Sequence, residues 1–239
     1  MPASGLRNAR RLGHIWRMIL RIALLLSFLI APAMAAAQEY IAIPARVSDE
    51  AFYRLVACAA PPGGACAKPE IRWSESRRLT LRVGITQIDD AFPSYKLSLV
   101  DAAVDAAIDE INRTGAYLLL ERVYEGTPDI ALYLVDTAQG GTITGTGNAE
   151  MDGEQLAVGR VAIRSVGGEI QEAAIALSRD IRRREVASVV LEELVQAMGL
   201  PTDVRSPAYA NSIFSEDGNS VVWLRGQDAE ALRRHYPRL

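Results

Sequence analysis

The chain is poor in the residues that carry most enzyme chemistry. It has two histidines, His14 and His235, two cysteines, Cys58 and Cys66, and two lysines, Lys68 and Lys96. A Ser-His-Asp triad would depend on a single histidine close to the last residue, and a Cys-His pair would need a free thiol. A Ser-Lys dyad has only Lys68 and Lys96 to draw on, and no local motif accompanies either. Excess positive charge is also missing. The net charge is −3, and a nucleic-acid ligand needs concentrated Lys and Arg to neutralise phosphates. No nucleic-acid partner is expected.

The basic residues that do occur early are clustered. Arg7, Arg10, Arg11, Arg17 and Arg21 precede a short apolar run from Ile22 to Ile30, and Ala33-Met34-Ala35-Ala36-Ala37 follows. That order predicts a signal peptide over residues 1–37, with export to the periplasm or the extracellular space. The run is shorter than the about 20 apolar residues of a membrane span. A retained anchor is the alternative, and in both versions the membrane is met only through this segment. Removing it takes away five Arg and no acid, so the net charge becomes −8 and His235 is the one histidine left.

Cys58 and Cys66 flank the turn Ala59-Ala60-Pro61-Pro62-Gly63-Gly64-Ala65. In an exported chain such an isolated pair predicts a structural disulfide. A redox pair or a metal site is the other use of two cysteines, but C-x-x-C spacing is absent.

Periodicity gives the remaining organisation. Ser48, followed by Asp49 and Glu50, predicts a capped helix through Leu55. Leu79, Leu81, Val83 and Ile85 alternate with polar residues or Gly, predicting a strand buried on one face. Val100, Val104, Ala107, Ile108 and Ile111 recur at helical spacing, with Ser98 and Asp101 as a capping-box-like start and Thr114-Gly115 as the stop. Tyr117–Val123, Ile130–Val135, Val158–Ile163 and Ile170–Leu177 read as strands. The glycine-rich run Gly140–Asn148 is not followed by an amphipathic helix, so it predicts a hairpin or rim loop rather than a phosphate cradle. A last long helix is expected over Asp180–Met198, stopped by Gly199 and Pro201. Arg182, Arg183 and Arg184 would crowd its first turn against the helix dipole, which reads as a solvated basic face; an anion contact has no second supporting feature.

On a wheel of about 100° per residue, Val186, Val190, Leu194 and Ala197 form the apolar face of that helix. Glu193 falls inside this face, and Glu192 and Gln196 share the adjacent one. A buried carboxylate must be hydrogen-bonded, paired or neutral. Glu193 is therefore either a satisfied structural group or a general base with a raised pKa.

The segment Leu191-Glu192-Glu193-Leu194-Val195-Gln196-Ala197-Met198-Gly199-Leu200 resembles the H-E-x-x-H-x-x-G helix of zincin proteases, with Glu192 and Gln196 standing where the two histidines would be. Trp73, the strand ending at Ile85, the helix around Val104 and Pro128-Asp129-Ile130-Ala131-Leu132-Tyr133 are similar to metzincins in order. Ser212-Ile213-Phe214 resembles the Met-turn with Phe214 in place of Met, and Asp228, Leu232 and Tyr236 resemble the closing helix. The match runs from Trp73 to Tyr236. The chain is also similar to an exported bacterial family of unknown function marked by an L-E-E-L-x-Q-A-x-G-L helix, a family that Phe52-Tyr53-Arg54-Leu55, the Cys loop and Arg72-Trp73 fit as well.

The resemblance implies an α/β fold of zincin type: a twisted mixed sheet packed on two long helices, plus a C-terminal helix. Residues 38–72 would be an N-terminal helix and disulfide loop, and residues 73–239 the zincin-like domain. Zinc prefers imidazoles or thiolates, and here Glu192 and Gln196 replace the first two histidines while the third falls near Thr202, beside Asp203. No catalytic zinc and no other cofactor are expected. An oxygen site for a hard cation, from Glu192, Gln196 and Asp203, is the one metal alternative. The function expected is a non-catalytic binding or scaffold module of the cell envelope, its partner an envelope protein or a peptide. The alternative is a peptidase-like hydrolase using Glu193 with Glu192 or a divalent cation.

Overall fold

Residues 40–238 are described by a computed structural model. The elements in order are β1 (Tyr40–Ala42), α1 (Asp49–Cys58), β2 (Arg72–Trp73), β3 (Leu81–Ile88), α2 (Leu97–Arg113), β4 (Leu120–Arg122), β5 (Ile130–Val135), β6 (Gly159–Val166), β7 (Glu169–Ser178), α3 (Val186–Ala197), β8 (Asp203–Arg205) and α4 (Gln227–His235). Residues 1–37, expected to be a signal peptide, lie outside the described residues. None of the described helices is long and apolar enough to cross a membrane.

The fold is α/β, with a mostly parallel mixed sheet and four helices. Strands β4, β3, β5 and β7 run parallel in that spatial order. β6 pairs antiparallel with the far side of β7 and forms an edge, and β2 pairs parallel with the first residues of β7. β1 and β8 form a separate two-stranded parallel ribbon.

Strand alternation sorts the sheet into two faces. Ile130, Leu132, Leu134, Ile175 and Leu177 enter the main core with residues of all four helices, including Phe52, Val104, Leu194 and Leu232. Tyr133, Val135, Ala174 and Ala176 face the other way, where Ile143, Met151 and Leu156 cover them. The Gly140–Asn148 run is therefore the start of a hairpin-like lap, bridged at Thr142 and Gln155, that packs on the face opposite α3. It does not roof the α3 side.

Several boundaries differ from the pattern of the sequence. α1 continues past Leu55 to Cys58 and ends on Ala59 in the left-handed region. α2 has no side-chain cap, because a 3-10 turn at Ser94–Lys96 leads straight into it, and Asp101 is drawn into an ion pair with Arg122. Only Leu120–Arg122 of the Tyr117–Val123 segment joins the sheet. Tyr117 instead gives its N–H to the Tyr236 carbonyl at 2.8 Å.

α3 begins at Val186, not at Asp180. Ile181 is buried and anchors the preceding turn, in which Arg182 and Arg184 pair with Glu185. The three arginines thus precede the helix and are not crowded into its first turn. Cys58 and Cys66 are joined in a disulfide.

Candidate functional site

α3 presents two rows of side chains beyond its apolar face. Val189 and Glu193, one turn apart, look onto the first residue of β6. A methyl group at Gly159 would stand 2.7 Å from Val189 Cγ1 and 2.8 Å from the Glu193 carboxyl carbon. Only glycine lets the edge strand and the helix approach this closely. Glu193 is 6% exposed, as its place on the wheel predicts.

Glu192 and Gln196 form the second row, and the chain folds back to face them. Gly199, at φ +93°, ends the helix, with its N–H on the Gln196 carbonyl at 2.8 Å. The return through Pro201 enters β8, which β1 holds in register from Tyr40 to Ala42. Asp203 is thereby placed beside Gln196, whose amide donates to its two carboxylate oxygens at 3.1 and 3.3 Å. Glu192 is half-buried and has no hydrogen bond or ion pair among the described residues. Burial pushes its pKa well up, and the charges of Asp203, Glu193 and Glu216 push it further. On the β8 side Arg205 is shared between Glu216 at 3.1 Å, Asp217 at 3.2 Å and the Tyr40 hydroxyl at 2.5 Å, and Lys68 donates to the Pro201 carbonyl at 3.4 Å.

The C-terminal end of α3 is held from below. The indole of Trp73 donates to the Ala197 carbonyl at 3.0 Å, and the Tyr236 hydroxyl donates to that of Met198 at 2.6 Å while accepting the Trp73 N–H at 3.1 Å. These bonds satisfy carbonyls that every helix end leaves open. Gly199 packs so tightly against the Ile71 carbonyl that a Cβ would also lie 2.9 Å from His235 Nε2.

His235 takes no part in the acidic group. It is fully buried, with Nε2 at 2.9 Å from the Ile71 carbonyl and Nδ1 at 3.2 Å from the Tyr53 hydroxyl. The carbonyl can only accept, so the proton sits on Nε2. Burial, aided by Arg72, lowers its pKa to about 4 and keeps it neutral. Tyr53, pushed up to about 12 chiefly by burial, also meets Glu70 and Arg72, each at 3.0 Å.

The Ser212-Ile213-Phe214 turn is tied to α4 by Asp228, which accepts from Ser212 Oγ at 2.6 Å and from the Ile213 N–H at 3.0 Å. Burial raises the Asp228 pKa to about 6 against the pull of those two bonds. Phe214 packs edge-on against Phe52. Phe52 in turn stacks on Tyr209, so the turn closes on an aromatic cluster.

The candidate residues do not make a zinc site. The Gln196 amide is turned to Asp203 as a donor, and Thr202 is fully buried with a hydroxyl that finds no partner among the described residues. Among the described residues no imidazole or thiolate reaches the group, since His235 is engaged elsewhere and the cysteines are bonded to each other. Gln196 and Asp203 are nonetheless bonded to each other, and Glu192 stands one turn before Gln196 on the same row of the helix. Sequence reasoning missed Gly159, Glu216 and Arg205. A glycine opening a strand next to a helix-facing carboxylate was the one local signal for the first; the others arrive only through the β1–β8 pairing.

A cavity of about 370 Å³ at the end of β3, lined by Ile85, Gln87, Ile88, Arg122 and Tyr124 among others, shares no residue with this group.

No curated protein matches the chain. A family model described as protein of unknown function (DUF2927) matches residues 101–239, from the second turn of α2 onward. The match takes in β6, α3, Asp203, the Ser212–Phe214 turn and α4, and leaves out the disulfide and β3. It covers more than half of the sequence, and the chain belongs to the DUF2927 family.

Proposed function

We propose that the protein is an exported, zincin-like domain without catalytic zinc that serves as a binding module in the cell envelope, holding an extended segment of a partner along the outer edge of β6. The observation that carries this reading is the state of that edge. Ser178 donates to the Val158 carbonyl at 2.9 Å, which fixes Val158 and Ser178 as a bonded pair. By antiparallel alternation, the N–H and C=O groups of Gly159, Val161 and Ile163 then point away from β7. Strand addition uses such groups.

The zincin-like part of the reading is supported by an antiparallel strand at the edge of an otherwise parallel sheet, by α2 and α3 in one core, and by α4 closing beneath them. In it, residues 73–239 are the zincin-like domain and residues 38–72 its N-terminal addition. Export, with residues 1–37 as the signal peptide, is supported by the disulfide, which an oxidising compartment sustains.

The test is binding of fluorescein-labelled, unstructured peptides the length of β6, followed by anisotropy. Saturable binding that Val161→Pro abolishes supports the reading. That substitution removes an outward N–H and no ladder bond, a place where an edge strand accepts proline. No binding by any peptide contradicts it.

A second reading, a hydrolase, is favoured by one feature: burial and neighbouring carboxylates push the Glu192 pKa up, the kind of divergence that supplies an acid beside a base. Turnover of a peptide by the purified protein, lost in a folded Glu193→Gln variant, would establish it in place of the first.

A further inference from the structure

We propose that the cavity at the carboxyl ends of β3 and β4 binds a free α-amino acid with an apolar side chain. The ligand's carboxylate accepts from Arg122, its ammonium donates to Asp101, and its side chain lies against Ile88 and Tyr124. The site is separate from the β6 edge and stands independently of the strand-addition reading.

Topology makes the place. β3 and β4 run parallel, and their register ends at Val83 and Arg122, while β3 continues to Ile88. Because β4 stops short, a notch opens beside Ile85–Ile88, closed by Asp101 on the second turn of α2. The cavity of about 370 Å³ fills this notch. Open parallel sheets take ligands outside the carboxyl ends of their strands, and the volume lies in the range of small-molecule sites.

The polar groups choose the ligand. Arg122 Nη2 donates to Asp101 Oδ1 at 2.5 Å, but Arg122 Nε and Nη1 are buried and meet no acceptor among the described residues. Guanidinium N–H groups shielded from water and left unbonded are costly, and a carboxylate satisfies them with charge-assisted bonds. Asp101 spends one oxygen on Arg122; its side chain is 48% exposed, and Oδ2 has no bond among the described residues. A lone anion would be repelled by the Asp101 carboxylate, and a lone cation by the guanidinium. A zwitterion answers both charges. Tyr124 lies over the guanidinium, 5.0 Å from ring centre to Arg122 Cζ, yet it is 74% exposed and has no hydrogen bond among the described residues. It is therefore a cover that can pivot to admit the carboxylate and close on the ligand's side chain. With Ile88, 49% exposed, it gives the cavity an apolar rim, and an aliphatic or aromatic side chain removes that surface from water.

The experiment is calorimetric titration of the purified protein with L-leucine, L-phenylalanine, isocaproate (leucine without its ammonium) and isoamylamine (leucine without its carboxylate). Leucine or phenylalanine is expected to bind saturably, and the two analogues about tenfold or more weakly than leucine, the loss of one charged hydrogen bond. Asp101→Asn should weaken leucine severalfold while leaving isocaproate unchanged or tighter. Arg122→Gln, its fold checked by circular dichroism, should lose both; should that variant not fold, the analogues and Asp101→Asn decide. Isocaproate binding as tightly as leucine would make this a site for any carboxylate and overturn the inference, and isoamylamine binding as tightly would do the same. Leucine affinity unchanged in Asp101→Asn would also overturn it. So would the absence of saturable binding by both amino acids up to about 10 mM.

Discussion

Gly159 and Glu193 define the seam between the outermost strand and the helix that carries the acidic row. Any side chain at 159 meets both the Glu193 carboxyl and Val189, so Gly159→Ala forces α3 and β6 apart. Overpacking of this kind costs about 1–3 kcal/mol. Urea denaturation should show the loss, and Glu193→Ala in the same background should return part of it, since residues in contact are coupled. Strictly additive effects would mean that the two do not meet.

Glu192 is held well above the usual carboxylate range by burial and by Asp203, Glu193 and Glu216. A carboxyl whose folded pKa is raised stabilises the fold only while protonated, so its cost grows as pH rises. Glu192→Gln should therefore raise Tm at pH 8, with little change at pH 4. In a domain of this size about 1 kcal/mol corresponds to about 2–4 °C. Calorimetry at the two pH values checks the sign; a variant that melts lower at pH 8 contradicts the account.

Asp228 and His235 act oppositely over one pH range. Asp228, raised to about 6 by burial, favours the fold below its unfolded value and loses that benefit as pH rises through 6. His235, lowered to about 4, is neutral in the fold, so stability is lost as pH falls from its unfolded value toward 4. At about 1.4 kcal/mol per pKa unit, each contributes about 3 kcal/mol, with opposite sign. The stability difference between wild type and Asp228→Asn should grow from pH 6.5 to pH 4, and that between wild type and His235→Gln should shrink. Chemical denaturation across the range measures both.

Much of this was legible in the sequence where local periodicity governs. The spacing of Val186, Val190, Leu194 and Ala197 places Glu193 in the core face and sets Glu192 and Gln196 beside it, and the structure has the same arrangement. The stripe from Val100 to Ile111 is buried throughout, and the Pro/Gly turn between Cys58 and Cys66 closes on a disulfide. What failed depends on distant partners. β1 and β8 are three residues each, too short for alternation to register, and exist because residues near 40 and 204 pair. Arg182 to Arg184 have good helix propensity, yet burial of Ile181 and the ion pairs to Glu185 hold them in a turn. Gly159 reads as a loop residue until the helix that needs its missing side chain is in place.

Residue chemistry at the acidic row argues against zinc, since Gln196 donates to Asp203 and Thr202 is buried. Elemental analysis of the purified protein should find zinc well below one equivalent, and a chelator should leave its Tm unchanged. A stoichiometric metal with a chelator-sensitive melt would move the search to Glu192, Gln196 and Asp203 as an oxygen site.

The central claim is that the outer edge of β6 receives a partner strand. Amide hydrogen exchange by NMR, with and without an unstructured peptide the length of β6, tests it residue by residue. The account predicts slower exchange at the N–H groups of Val161 and Ile163 when peptide is present. Saturable binding with no protection along Gly159–Val166 would contradict it.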